Sequence, residues 1–159
     1  MNITVIAVGK IKESFFRDAI AEYSKRLGRY CRLNIIEVDD EKTPDDAGET
    51  ETDRILKKEA DRIIQRIPDG SHVITLEIRG HECTSEELAS HISDLGVRGV
   101  SHITFIIGGS LGLHSAVISL AKEHLSFSEL TFPHQLMRVI LLEQIYRSFR
   151  IINHEPYHK

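Results

Sequence analysis

The stretch from His124 to Lys159, HLSFSELTFPHQLMRVILLEQIYRSFRIINHEPYHK, concentrates the residues whose types and spacing could do chemistry. Ser126, Ser128 and Thr131 stand among Phe127, Leu130 and Phe132. An adenine ring wants such a setting, an apolar slot with a few hydroxyls and backbone groups beside it. The same pattern also fits an ordinary helix start, with Ser or Thr capping and Phe packing. His134 follows Pro133, where a neutral imidazole could donate toward a ligand. Arg138, Arg147 and Arg150 lie further along an apolar helix. An arginine there is either a rim residue with a packed stem or a clamp on an anion, and helical spacing puts Arg147 and Arg150 near one face. The tail Pro156-Tyr157-His158-Lys159 brings a phenol and an imidazole close to that helix and is a candidate catalytic appendage.

A second chemical feature is Gly108-Gly109-Ser110-Leu111-Gly112 after an apolar run. Such a turn lets backbone approach a nucleotide closely, or simply joins a strand to a helix. It is neither a dinucleotide fingerprint nor a P-loop, because Ser110 replaces the second glycine and no Gly-Lys-Ser/Thr follows. There is no Gly-x-Ser-x-Gly elbow and no Cys/His nucleophile pair, so hydrolase chemistry has no support. Cys31 and Cys83 stand far apart without ligand spacing, and His72, His91 and His102 read as surface residues without the spacing of a helical metal site. No metal is expected.

These residues need a frame, and the chain supplies one. Apolar β-branched runs at 3–8, 33–38, 72–78 and 102–107 alternate with helical patterns at 12–27, 52–67 and about 84–95. Gly28 and Pro68-Asp69-Gly70 are helix stops, and Thr84-Ser85-Glu86-Glu87 resembles a capping box. A short helix (114–122), a short strand (125–127) and the terminal helix follow, with Pro133 placed for its first turn. Strands that read as continuous apolar runs, alternating with helices, predict an α/β fold with a mostly parallel sheet flanked by helices. In such sheets ligands bind beyond the carboxyl ends of the strands. Three turns fall there: Leu76 to Gly80, Gly108 to Leu113, and Phe127 to Phe132. The terminal helix is apolar on most faces and must lie in a core or against another subunit.

At 159 residues, with 28% charged and 41% hydrophobic side chains, the chain reads as one globular domain. No transmembrane run or signal peptide is visible, and the cysteine usage fits a cytoplasmic protein. The net charge of −4 argues against non-specific binding to long duplexes. Its acid is concentrated in residues 39–53, a solvated loop leading into a helix, while residues 1–32 are net basic. One shaped RNA site remains an open partner.

Taken together, AVGK (7–10), EY-x-KRL (22–27, Ser24 variable), ITLEI-x-G (74–80), IGGSLGL (107–113), LSFSELTFPHQLMRV (125–139), EQIYR (143–147) and EPYHK (155–159) resemble the ribosomal RNA large subunit methyltransferase H family of the SPOUT class, from end to end. The resemblance implies a single SPOUT domain over 1–159 with a C-terminal trefoil knot, acting as a homodimer. It implies S-adenosylmethionine held by Leu76, Gly108, Phe127, Ser128, Glu129, Leu130, Thr131 and Phe132. It implies methylation of N3 of a pseudouridine in 23S rRNA on the assembled ribosome, without a metal or a membrane. Arg147, Tyr157 and His158 are the catalytic candidates. Two other readings are a non-catalytic ribosome-associated RNA-binding module of the same fold and a small-molecule nucleotide-binding enzyme.

Overall fold

Five parallel strands form one sheet in the order β2-β1-β4-β3-β5 in the computed structural model, which describes residues 1–158. They are β1 (Asn2–Val8), β2 (Arg32–Val38), β3 (His72–Glu82), β4 (His102–Ile107) and β5 (Glu123–Ser126). Five helices connect or follow them: α1 (Ser14–Leu27), α2 (Glu49–Ile64), α3 (Ser85–Val97), α4 (Ser115–Leu120) and α5 (His134–Ile152). Alternation along β1 sorts its side chains between two cores. Ile3, Val5 and Ala7 join Leu27, Leu88, Ile92, Leu141 and Ile145 on one face, whereas Ile6 and Val8 join Ala60, Ile63 and Val117 on the other. Helices α1, α3 and α5 therefore cover one face, α2 and α4 the second, and the strands are buried on both sides as their unbroken apolar runs predict.

Local chemistry sets the element ends. Thr84 accepts from the Glu87 backbone at 3.1 Å while the Glu87 carboxylate accepts from Thr84 N at 2.7 Å, the reciprocal cap expected from the sequence. Helix α2 begins three residues before its expected start. Its first turn takes Glu49 and Glu51 from the acidic run, where they oppose the positive helix end. Pro133 caps α5 from an extended conformation rather than sitting inside its first turn.

Strand β3 runs past its expected end at residue 78. Leu76 pairs with both Ile107 and Leu125, then the register jumps so that His81 meets Leu125 again. The bulge between them throws residues 77–80 outward at the carboxyl edge. Gly80 makes this possible, since a Cβ there would lie 2.6 Å from the carbonyl carbon of Leu125.

Arg138 corrects a reading. It is neither a rim residue nor an anion clamp: it is 1% exposed, and its guanidinium donates to Glu37 (2.7 Å), to the Val8 carbonyl (3.0 Å) and to the Gly9 carbonyl. It ties α5 to the end of β1 by satisfying carbonyls that would otherwise be orphaned. Arg138→Met should cost about 3 kcal/mol, the lower end for breaking a buried pair, because Glu37 keeps some solvent. Urea denaturation measures this; an unchanged midpoint would deny Arg138 that role.

Candidate functional site

At the carboxyl edge of the sheet the three expected turns meet around one open hollow of about 920 Å³. The bulge contributes Leu76 to Arg79, the glycine turn Gly108 to Leu113, and the last segment Phe127, Ser128, Leu130, Thr131 and Phe132. Segment 127–133 carries the chain from the edge strand β5 to α5, whose first residue, His134, lies beside Gly9 at the end of β1. A parallel sheet puts all these strand ends on one side, which is why residues fifty apart in sequence become neighbours.

Each turn is shaped by close backbone packing. A Cβ on Gly108 would stand 2.4 Å from the Gly112 carbonyl oxygen, and Gly112 adopts φ +83°. Gly112 N donates to Gly109 O at 3.1 Å, closing the loop. Ser126 is buried and its hydroxyl serves the carbonyls of Ile78 (3.1 Å) and Ser128 (3.2 Å), joining the bulge to the last segment. The Ser128 hydroxyl then accepts from Leu130 N at 3.0 Å, a local turn. The lining is largely apolar, with Leu76, Ile78, Leu113, Ile118, Phe127, Leu130, Phe132 and Met137 around exposed backbone groups. Its size and character suit a nucleoside-sized ligand.

Seven of the eight expected cofactor residues line this hollow. Glu129 does not; it points to solvent one position from its neighbours. His134 was singled out in the sequence but not assigned to the site. It lines the hollow, its Nδ1 is buried without a hydrogen-bond partner among the described residues, and burial first, then the Arg138 charge, lowers its pKa. It is therefore neutral in the folded chain at pH 7. The unfolded chain takes up the proton near pH 6.5, the folded one only below that, so His134 removes stability as pH falls from about 6.5 through the folded value. An NMR titration should find its imidazole still neutral below pH 6.5; a normal or raised value would contradict this.

Arg147, Tyr157 and His158 also come together, but elsewhere. The Arg147 guanidinium lies 4.8 Å from the Tyr157 ring centre and 3.1 Å from His158 Nδ1. It donates twice to Glu143, and the Tyr157 hydroxyl donates to the same carboxylate at 3.2 Å. His158 Nε2 lies 2.7 Å from Glu86. Since arginine only donates, Nδ1 accepts and Nε2 carries its proton toward Glu86. Burial and the Glu143 charge push the Tyr157 hydroxyl up to about 12, so it is a donor and no phenolate base. Arg150 has a different task from Arg147, pairing with Glu155 and Tyr30 and donating to the Pro156 carbonyl at 2.7 Å, which fixes the tail's exit. Lys159 lies outside the described residues. Arg147 stands ten residues along α5 from Met137, which lines the hollow, so the helix rise alone separates this cluster from the hollow by about 15 Å in one chain.

A family model described as "Predicted SPOUT methyltransferase" matches residues 1–158. The chain belongs to the SPOUT methyltransferase family. Full-length relatives agree: the chain is 58% identical to the ribosomal RNA large subunit methyltransferase H of Clostridium tetani and 60% identical to that of Bifidobacterium adolescentis, each match covering 100% of both proteins. Among solved structures it is similar in fold to a tRNA methyltransferase of Aquifex aeolicus, with TM-score 0.54 and 12% identity over 92% of this chain and 70% of that one. A Legionella pneumophila protein described as a "putative methyltransferase", solved with bound SAM, gives TM-score 0.50 and 10% identity over 94% and 66%. At these identities the SPOUT likeness to solved structures concerns the fold alone.

Proposed function

We propose that this chain, acting as one domain, is a methyltransferase that moves the methyl group of S-adenosylmethionine to N3 of a pseudouridine in 23S rRNA on the assembled cytoplasmic ribosome. The observation that carries the reading is the single hollow formed by three separate strand-end turns, in a SPOUT family chain that matches rRNA methyltransferases along its whole length. The residues fit the cofactor. Leu76, Phe127, Leu130 and Phe132 would sandwich adenine, while backbone groups at Gly108, Ser128 and Thr131 would take its polar edge and the ribose. The crossing at 127–133 would be the threaded part of the trefoil. When bound, S-adenosylmethionine supplies a methyl carbon activated by a positive sulfur and needs no metal.

N3 of a pseudouridine sits between two carbonyls and loses its proton on methylation. Positioning the nitrogen in line with the methyl carbon supplies most of the rate. Arg147 would stabilise the charge that develops on the flanking oxygens, or hold a backbone phosphate. Tyr157 would give the unstacked base a surface and a hydrogen-bond donor. His158 would be the tail's acceptor once Arg147 turns from its Nδ1 to the substrate.

One chain does not bring these groups to the hollow, so the reading requires a homodimer in which each tail completes the partner's site. Two observations support this: Leu136, Val139 and Ile140 of α5 are only half-buried, and Leu130 on the pocket rim is 69% exposed. A second copy packed on that face would cover them. A protein of net charge −4 would then recognise a folded ribosomal surface by shape rather than by a long basic track. The test is transfer of labelled methyl from S-adenosylmethionine to ribosomes that lack the mark. Incorporation at the pseudouridine supports the reading; cofactor binding without incorporation would favour a non-catalytic RNA-binding module.

A further inference from the structure

We propose that His72, His91 and Glu123 form a binding site for a zinc-class divalent cation that pins the edge strand β5 to α3. The three residues come from the start of β3, the middle of α3 and the start of β5, and their ligand atoms all lie within 4.8 Å of one another. That spread brackets the ~3.3 Å separation of neighbouring ligands around a tetrahedral zinc with bonds near 2.0–2.1 Å. Two imidazoles and a carboxylate are a borderline donor set that suits zinc, leaving a fourth position for water.

The details favour coordination over a plain ion pair. Glu123 presents one carboxylate oxygen to each ring: Oε1 is hydrogen-bonded to His72 Nε2, whereas Oε2 lies against His91 Nε2. His91 Nε2 lies 2.6 Å from that oxygen, yet it is buried and the approach lacks hydrogen-bond geometry. A nitrogen crowded against a carboxylate with no hydrogen bond is costly. A cation bound by both, with the pair spread to the ~3.3 Å of neighbouring ligands, would use the nitrogen's lone pair and the carboxylate's charge. The two rings are edge-on, with centroids 6.5 Å apart, so neither blocks the other's nitrogen. His91 and Glu123 also line a second hollow of about 700 Å³, separate from the glycine turn and segment 127–133, which gives a cation a way in. Sequence spacing does not reveal this site because each ligand comes from a different element.

The site would act on the edge of the sheet. Strand β5 has only four residues, and Ser126 at its end leads directly into Phe127 to Phe132. A cation bound only by the folded chain stabilises it by mass action and anchors the strand that delivers this segment.

The experiment uses the full-length protein, stripped with a chelator and titrated with Zn²⁺ by calorimetry and with Co²⁺ by visible absorption. Expected are one saturable site per chain, a tetrahedral-type Co²⁺ spectrum displaced by Zn²⁺, and a rise in Tm of several degrees. His72→Ala, His91→Ala and Glu123→Gln should each weaken Zn²⁺ binding by about 100-fold or more, beyond the usual loss from an outer-shell change. His81→Ala and His154→Ala should not. Circular dichroism and S-adenosylmethionine binding report whether each variant folds, and Glu123→Gln keeps the shape should an alanine variant fail. The proposal is overturned if the wild type shows no saturable binding, or if the three substitutions leave the affinity unchanged.

Discussion

Removal of Pro156 to Lys159 should abolish methyl transfer while leaving the fold and S-adenosylmethionine binding intact. The tail is held by polar contacts, Arg150 to the Pro156 carbonyl, Tyr157 to Glu143, and His158 to Glu86 and Arg147, and by one ring contact, Tyr157 edge-on to Tyr146 at 5.0 Å. The buried residues of α5, Leu141, Leu142, Ile145 and Phe149, precede it and stay in place. Glu155 also remains, so the Arg150–Glu155–Tyr30 cluster still closes the helix end. Transfer should fall by about 1,000-fold or more, since the proton acceptor and the aromatic surface leave together. Cofactor affinity should change less than about threefold. Mixing then tests the dimer. A heterodimer of the truncated chain with a chain carrying a ruined hollow has one complete site if the tail acts across the interface, and should recover activity. No recovery would place tail and hollow in the same chain's site.

Gly108→Ala provides the ruined hollow and is the second large effect. The added Cβ would meet the Gly112 carbonyl oxygen at 2.4 Å and its carbon at 2.6 Å. Both are backbone atoms, and Gly112 is already held by its bond to Gly109, so the clash cannot be relieved by turning a side chain. The loop must open, and its backbone leaves the hollow. S-adenosylmethionine affinity should drop at least about 100-fold, or ~3 kcal/mol. Gly48→Ala is the control, with no atom within 4 Å of its added Cβ, and should bind normally. Equal affinities for the two variants would remove the glycine turn from the cofactor site.

Much of this frame can be read directly from the amino acids. Residues 102–107, HITFII, are a mainly apolar run between Ser101 and Gly108, and β4 occupies the same six positions. The meeting of Leu76, Gly108 and Leu130 follows from a parallel sheet, because every strand then ends on one edge. Three things resist such reading. The β3 bulge depends on Gly80 fitting against Leu125, a contact between strands far apart in sequence. The buried role of Arg138 depends on the free carbonyls of Val8 and Gly9, which no helical pattern announces. The His72–His91–Glu123 cluster needs three elements to be assembled first. Glu129 shows the limit of reading a motif as a block, since its neighbours line the hollow and it does not. The separation of Arg147 from the hollow is different, because helix length and rise per residue alone imply it.

In the proposed enzyme the bulge after Leu76, the turn at Gly108 and the segment 127–132 grip one methyl donor. A crystal structure of the protein with S-adenosylmethionine tests it most directly. The expected result is a single ligand in contact with all three segments, adenine against Leu76, Phe127 or Leu130, and the methyl group turned toward the partner chain's tail. A ligand bound elsewhere, or one touching the glycine turn without the last segment, would contradict it.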